Sequence, residues 1–394
     1  MIVNLKEQHC ENFLQSLHKE QWQEVRLGEV AEIKTDIWKV GESEELYIGL
    51  EHIAANDLKL CGVGSSQNVS SNKYIFREND ILFGKLRPYF RKIIKAKFNG
   101  ICSTDIWVIR AKQNINQTFL FYFFTNQTLI NLSYSSSKGT RMPGADWSFL
   151  SQTIWLFPPL TIQQKIAEIL SSFDDKIDLL HRQNKTLESL ALTLFRHYFI
   201  DNPNRSEWEL GKLGDYVKII DNRGKTPPFT TDITPYPLIE VNALSDDSML
   251  INYDIVRKYV IKETYQNWFR EHIKQYDILF STVGSIGEVA MLLDNKGCIA
   301  QNVIGFRARE ISPFYLYEWL KYMQQEIKEF DIGSVQPSIK VTHFVEKQIY
   351  KPDSKTLESF DKQMLLMTNK ISHNAKQIQN LQAMRDMLLK AIFE

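Results

Sequence analysis

The sequence predicts an α+β chain made of a duplicated domain, each copy followed by one long helix, with the two helices paired as an antiparallel coiled coil. Three observations carry this. Segments recur in the same order about 194 residues apart, two runs place apolar residues at alternating steps of four and three, and short β-rich runs and helices mix irregularly between them.

The duplication is read from four pairs of segments. WQEVRLGEVAEIK at Trp22 answers WELGKLGDYVKII at Trp208, with Leu27/Leu213 and Gly28/Gly214 in step at an offset of 186. DILFGKL at Asp80 answers DILFSTV at Asp277, and GICSTDIWVIRA at Gly100 answers GCIAQNVIGFRA at Gly297, both at 197. Gly139 to Pro143 answers Gly333 to Pro337 at 194. The offset drifts while the order holds, so insertions separate two copies of one domain. Each copy begins with a mixed region of about 140 residues. It holds β-rich runs (residues 105–109; 303–306) and an aromatic-rich helix (118–126; 313–322). The boundaries expected are 1–160 and 201–352 for the domains and 161–200 and 353–394 for the helices.

Pro158-Pro159 stops what precedes the first long helix, and Thr161 with Gln164 forms a T-x-x-Q capping box at its start. Ile166, Leu170, Phe173, Ile177, Leu180, Leu187, Ala191 and Leu194 make the seam, with Asn184 in the open slot. A helix from Thr161 to Phe199 would be roughly 58 Å long. In the second copy Phe360, Met364, Met367, Ile371, Ile378, Leu381 and Leu388 repeat the steps, with Asn374 and Arg385 in the remaining slots. Neither stripe is stable alone, and the simplest partner for each is the other. Asn184 and Asn374 read as register-fixing polar contacts. Antiparallel pairing would put the globular domains at opposite ends of a rod with a pseudo-two-fold axis, which suits two half-sites of duplex DNA at a fixed spacing. A scaffold could share that geometry.

Composition bounds the rest. The 394 residues suggest two or three domains, and 43% hydrophobic with 24% charged residues is an ordinary globular balance. Lys+Arg and Asp+Glu both number 47, so any phosphate-binding surface must be local. Cys10, Cys61, Cys102 and Cys298 form no CxxC pair, which points away from a zinc cluster and from disulfides and fits a reducing, cytoplasmic setting. The start of the chain does not read as a signal peptide, and the longest apolar run, 119–124, is far short of a membrane span.

Signatures for stand-alone chemistry are missing: no P-loop, no G-x-G-x-x-G after a strand, no HExxH, no G-x-S-x-G. The strings Thr226-Pro227-Pro228-Phe229 and Phe157-Pro158-Pro159-Leu160 lack the amide or acid that an amino-methyltransferase uses to hold its target amine. No catalytic or metal residue is therefore expected, and the chain itself should bind no cofactor. His181 and His197 read as surface or packing residues.

The basic signal is local. FGKLRPYFRKIIKAKF holds Lys85, Arg87, Arg91, Lys92, Lys95 and Lys97 without an acid, with Tyr89 and Phe90 interleaved. Such a patch can grip phosphates or reach guanine edges, although a solvated basic strand face would look the same. The segment 135–141, with Lys138, Thr140 and Arg141, suits close approach to phosphate or a plain surface loop. In the second copy the candidates are less basic: Arg223 and Lys225, then Thr282, Gln301, Asn302 and Gln336. Gln and Asn can pair bidentately with adenine, and each could equally cap a turn. The copies agree at framework positions and differ at these polar ones, as two domains reading different half-sites would.

Taken together, W-x₄-L-G opening each half, DILF at Asp80 and Asp277, G-T-R at Gly139, and above all PPLTIQQKIAEILSSFDDKID leading into a long helix, the chain resembles a type I restriction-modification specificity subunit over essentially its whole length. The resemblance implies a non-catalytic subunit. Its two target recognition domains would each bind half of a bipartite site on double-stranded DNA. Its paired helices would set the gap and dock two methyltransferase subunits, which carry the S-adenosylmethionine chemistry. Translocase-nuclease subunits using ATP and magnesium could join them. Adenine N6 methylation, or cleavage of unmethylated sites, would follow. The competing readings are a nuclease or methyltransferase fragment, a coiled-coil scaffold that binds no DNA, and the specificity subunit of a methyltransferase-only system. Residues 1–21 precede the first Trp, and Phe13, Leu14 and Leu17 could form a short helix packing on the rod.

A charge in the seam tests the helix pairing. Leu180→Asp is expected to weaken assembly with methyltransferase subunits, measured by co-elution in size-exclusion chromatography; an intact complex would contradict the paired-helix reading.

Overall fold

A computed structural model describes residues 13–136, 143–222, 224–245, 248–329 and 337–394. Lys138, Thr140, Arg141, Arg223 and Gln336 lie outside the described residues. The chain divides into two compact units, Met1–Ile177 with Gln379–Glu394, and Asp178–Ile378.

In unit one a four-stranded antiparallel sheet has the order Ala31–Lys34, Ile106–Ala111, Ile81–Gly84, Ile93–Lys95. In unit two the order is Val217–Ile220, Val303–Ala308, Ile278–Ser281, Val289–Met291. The two orders correspond strand for strand, as the repeated segments predict. Each unit also has a two-stranded sheet that starts just after its first Trp: Gln23–Arg26 with Ile154–Phe157, and Glu209–Lys212 with Gln348–Lys351. The β-rich runs extend slightly past their predicted ends, to Ala111 and Ala308, because Arg110 and Arg307 belong to the strands.

The repeated Asp of DILF explains that extension. Asp80, nearly buried, accepts from the Arg77 backbone N–H at 2.7 Å and takes both prongs of Arg110, Nε at 2.6 Å and Nη2 at 2.7 Å. Asp277 accepts from the Lys274 N–H at 2.7 Å and takes Arg307 Nε at 2.9 Å and Nη2 at 2.7 Å. The bonds to Asp80 hold the Arg110 guanidinium charged and raise its pKa, and Asp277 does the same for Arg307.

The units diverge beyond that frame. Unit one adds a five-stranded sheet in the order Ile37–Trp38, Lys73–Phe76, Gly100–Cys102, Leu46–Ile48, Gly64–Ser65. Among the described residues only its parallel pair, Leu46–Ile48 beside Gly100–Cys102, has a counterpart in unit two, Leu238–Ile239 beside Cys298–Ile299.

The first long helix runs Leu160–Phe195, 36 residues, and continues as a π turn over Arg196–Ile200. The second runs Ser354–Phe393, 40 residues. The start of the first corrects the expected cap. The Pro159 carbonyl accepts from the Ile162 and Gln163 N–H groups, so the helix already includes Leu160, and Thr161 lies in its first turn. Gln163 rather than Gln164 makes the tertiary contacts there, donating to the Pro158 carbonyl and accepting from the Asn116 N–H, both at 2.9 Å.

Seam residues of the two helices share a core in each unit. In unit one Ile166 and Leu170 share a core with Leu388, Leu389 and Ile392. In unit two Ala191 and Phe195 share one with Phe360, Met364 and Ile371. Asn374 Nδ2 donates to Asn184 Oδ1 and to Gln183 Oε1, both at 2.8 Å. Gln363 Nε2 donates to the Tyr198 hydroxyl at 2.7 Å. Rising numbers on one helix meet falling numbers on the other, so the pair is antiparallel, and two predicted open slots contact each other. Arg385, the other polar slot, donates to Asp174 Oδ1 at 2.8 Å in unit one. Leu17, before the first Trp, is buried in the unit-one core, where its carbonyl accepts the Trp22 indole N–H at 3.0 Å. Lys19 ties this segment to the second long helix by donating to the Ala391 carbonyl at 2.9 Å.

The aromatic helices span Gln117–Phe124 and Pro313–Tyr322 and share a core with matching strand residues, Ile81 and Phe83 in unit one and Ile278 and Phe280 in unit two. Tyr122 and Glu318 occupy matching turns, six residues beyond the capping residues Asn116 and Ser312. Tyr122 donates to Asp174 Oδ2 at 2.6 Å. Glu318 is buried with the Glu188 carboxylate nearby, and burial pushes its carboxyl up to about 8. Among the described residues, no helix is long and apolar enough to cross a membrane.

Two outcomes follow from these buried charges. Arg110→Ala and Arg307→Ala each strand a buried carboxylate and are expected to cost about 3–5 kcal/mol in urea unfolding. Glu318 titrates higher in the folded state than unfolded, so wild-type stability falls as pH rises from the ordinary carboxylate range through about 8. Glu318→Gln is expected to flatten that fall and to raise the melting temperature at pH 8, read by thermal unfolding at pH 5 and pH 8.

Candidate nucleic-acid interface

The turn leaving the second-copy-matched strand is built the same way in both units. After Ile81–Gly84, the Lys85 N–H donates to the Asp105 carbonyl at 3.0 Å and the Arg87 N–H to the Pro143 carbonyl at 2.9 Å. After Ile278–Ser281, the Thr282 N–H donates to the Asn302 carbonyl and the Gly284 N–H to the Pro337 carbonyl, both at 2.9 Å. Bridges Leu86–Gly144 and Val283–Ser338 complete the match. Thr282 and Asn302, 20 residues apart in sequence, therefore share one corner. In unit one it gathers Lys85, Arg87 and the segment resuming at Pro143. In unit two it gathers Thr282, Asn302 and the segment resuming at Pro337.

The corner demands left-handed backbone. Unit two meets this with Gly284 (φ 84°) and Gly287 (φ 77°), while unit one places Arg87 (φ 49°) and Arg91 (φ 47°) there. Each arginine carries a steric cost of roughly 1–2 kcal/mol that glycine avoids.

The six cations of the basic segment do not share a face. Arg87 is exposed and Lys85 half-buried, and neither side chain has a hydrogen bond or ion pair among the described residues. Lys85 borders an open cleft of about 330 Å³ with Trp107, Asp146, Trp147 and Ser148. Arg91 instead turns inward, where Nη2 donates to the Thr125 carbonyl at 2.8 Å and burial lowers its pKa. Lys92 Nζ donates to the Leu50 carbonyl at 2.5 Å, and Lys95 Nζ to Thr118 Oγ1 at 3.0 Å. The turn between the two strands, with left-handed backbone at Arg87 and Arg91, sends these cations in different directions, which a one-dimensional charge run conceals.

In unit two the Thr282 hydroxyl is mostly buried and donates to the Asn302 carbonyl at 3.1 Å, so it serves the turn. Gln301 is exposed and its Oε1 accepts from the Thr226 hydroxyl at 3.1 Å. Asn302 is half-buried, with its amide unpaired among the described residues. Thr226, Glu240, Asn242, Gln301 and Asn302 line a cleft of about 260 Å³. Lys225 is exposed beside it in sequence. Asn222 is buried and donates to the Ile299 carbonyl at 2.6 Å, holding the start of this loop against the parallel strand pair. Amides with open donors and acceptors can read base edges, and free cations can hold phosphates.

Sequence reasoning passed over Asn242 and Glu240 in this cleft, and Trp107 and Trp147 in the other. No repeat or charge run marks them. Arg110 and Arg307 were visible as a repeated Arg inside two otherwise apolar strands, a signal for a paired charge.

Comparison with known proteins agrees with this doubled architecture. The family described as type I restriction modification DNA specificity domain matches residues 19–189 and again 205–376. The type I restriction enzyme MjaIX specificity subunit of Methanocaldococcus jannaschii is 27% identical over 306 residues, covering 72% of this chain and 69% of that one. The MjaVIII specificity subunit of the same organism is 22% identical over 418 residues, covering 100% and 97%. In fold, the crystal structure of a type I restriction-modification system S subunit from M. genitalium is similar with a TM-score of 0.53 and 17% identity, covering 95% of this chain and 96% of that one. With both halves matched, the chain belongs to the type I restriction-modification DNA specificity family.

Proposed function

We propose that this chain is the DNA-reading subunit of a type I restriction-modification complex and recognises a bipartite site, one half with each unit. The recognition domains are assigned to 1–160 and 201–352, and the spacer helices to 161–200 and 353–394. The observation that carries the reading is the corner built twice. The same backbone hydrogen bonds recur after Ile81–Gly84 and Ile278–Ser281, while the polar groups offered there are Lys85 and Arg87 in unit one and Gln301 and Asn302 in unit two. A constant frame with exchanged polar groups is what reading two different half-sites requires.

In this reading Arg87 and Lys85 hold the phosphate backbone, and the unit-two amides approach base edges, where each bidentate pair discriminates by about 1–3 kcal/mol. The chain is non-catalytic. Two methyltransferase subunits docked on the paired helices supply the S-adenosylmethionine chemistry, and translocase-nuclease subunits would bring the ATP- and magnesium-dependent steps.

Long-read methylation sequencing of cells carrying this gene and a neighbouring methyltransferase gene tests the reading. A bipartite methyladenine motif that vanishes when this chain is deleted is expected; an unchanged methylome together with no salt-dependent DNA binding by the purified chain would overturn it. Once the site is known, Arg87→Ala is expected to weaken binding and to reduce the slope of log affinity against log salt by about 1.

A further inference from the structure

The corner of unit one carries a feature that the frame does not need. Pro88–Phe90 forms a single 3-10 turn at the tip between Ile81–Gly84 and Ile93–Lys95. Its two aromatic rings are exposed, Tyr89 at 44% and Phe90 at 39%. They lie with centroids 4.7 Å apart, and Tyr89 meets Tyr134 edge-on at 5.5 Å.

The turn is firmly held. Pro88 is buried, the Phe90 N–H donates to the Arg87 carbonyl at 3.0 Å, and the Arg91 N–H donates to the Pro88 carbonyl at 2.8 Å. The Phe90 carbonyl accepts from the Asn56 N–H at 2.9 Å, and the Arg91 guanidinium is anchored on Thr125. Arg87 and Arg91 take left-handed backbone on either side, a cost borne without glycine.

Unit two shows that the fold closes without such rings. The matching tip has Ile286, which is buried, and then Gly287. The exposed rings of unit one are therefore an addition, on a hydrogen-bonded turn that starts at Arg87 in the same corner as Lys85, and neither cation has an ion pair among the described residues. Apolar rings beside unpaired cations complement a polyanion with stackable bases, whereas an apolar protein surface would leave those cations unmatched.

We propose that Tyr89 and Phe90 form a stacking wedge that enters the base stack of the half-site bound by unit one, while unit two reads its half-site without unstacking it. This rests on the DNA-reading function above. The two rings act on base planes and Arg87 on phosphate, so they separate experimentally.

The test uses the full-length purified chain and duplexes carrying the site found by methylation sequencing, with 2-aminopurine placed at successive steps of each half-site. Binding is expected to raise the emission several-fold at one step of one half-site only. The double substitution Tyr89→Ala with Phe90→Ala is expected to abolish that rise and to weaken binding about ten- to a hundredfold, with the salt slope unchanged. Tyr89→Phe is expected to keep both, and each single Ala variant to lose part of the rise, with wild-type thermal unfolding throughout. Specific DNA binding without any rise in emission, or a rise that survives the double substitution, overturns the wedge and leaves the DNA-reading function standing. Unchanged DNA affinity with lost methyltransferase co-elution would assign the rings to protein docking and overturn it. Absence of DNA binding by the wild-type chain overturns the wedge, and only together with an unchanged methylome does it overturn the DNA-reading function as well.

Discussion

A carboxylate taken out of water needs a partner, and the doubled framework depends on how that need is met at Asp80 and Asp277. Each sits just ahead of a buried strand and accepts both prongs of an arginine on the neighbouring strand, together with a backbone N–H three residues upstream. The fork fixes the register between two central strands, because a slip of one residue would leave the buried carboxylate without its arginine. The strand ends so placed carry the turn, and the turn brings Pro143 and Pro337 to their positions. Arg307 adds Glu271 and the His272 carbonyl to the same anchor.

Recognition is layered on that frame with little interference. The Lys85 and Arg87 side chains make no hydrogen bond or ion pair among the described residues, so Lys85 can stand opposite Thr282, and Arg87 opposite Gly284, while the four-stranded sheet keeps its order. The amounts of added structure differ too. Unit one carries a five-stranded sheet where unit two keeps two parallel strands. Change is tolerated at loops and sheet edges and resisted at the forked ion pair, which separates a variable function from a constant fold.

The long helices solve a different problem. Their stripes are apolar enough to pair but are interrupted by Asn184, Asn374 and Arg385. The two asparagines hydrogen-bond each other in unit two, and Arg385 meets Asp174 and, through it, Tyr122 in unit one. A polar group in a seam is satisfied in one register only, so these residues select a register that a purely apolar stripe would leave open. Among the described residues unit two has no equivalent of the Tyr122 contact: Glu318 stands in that place, near a like charge, with its carboxyl pushed toward neutrality.

The duplication, the mixed character of each copy, the long seams and their polar slots are all local or periodic features, and the sequence determined them by itself. The 3.6-residue repeat and the matched strings need no tertiary information. What only the tertiary structure decided is direction. The basic run looked uniform, yet Lys85 and Arg87 stay open while Arg91 and Lys92 bond to internal carbonyls, because the turn sends these side chains in different directions. Thr282 looked like a contact and serves its own turn; Thr161 looked like a cap and was preceded by the Pro159 carbonyl. A carbonyl acceptor has no letter in the sequence, so which polar groups it satisfies, and which are left for a partner, is settled only when the chain has folded.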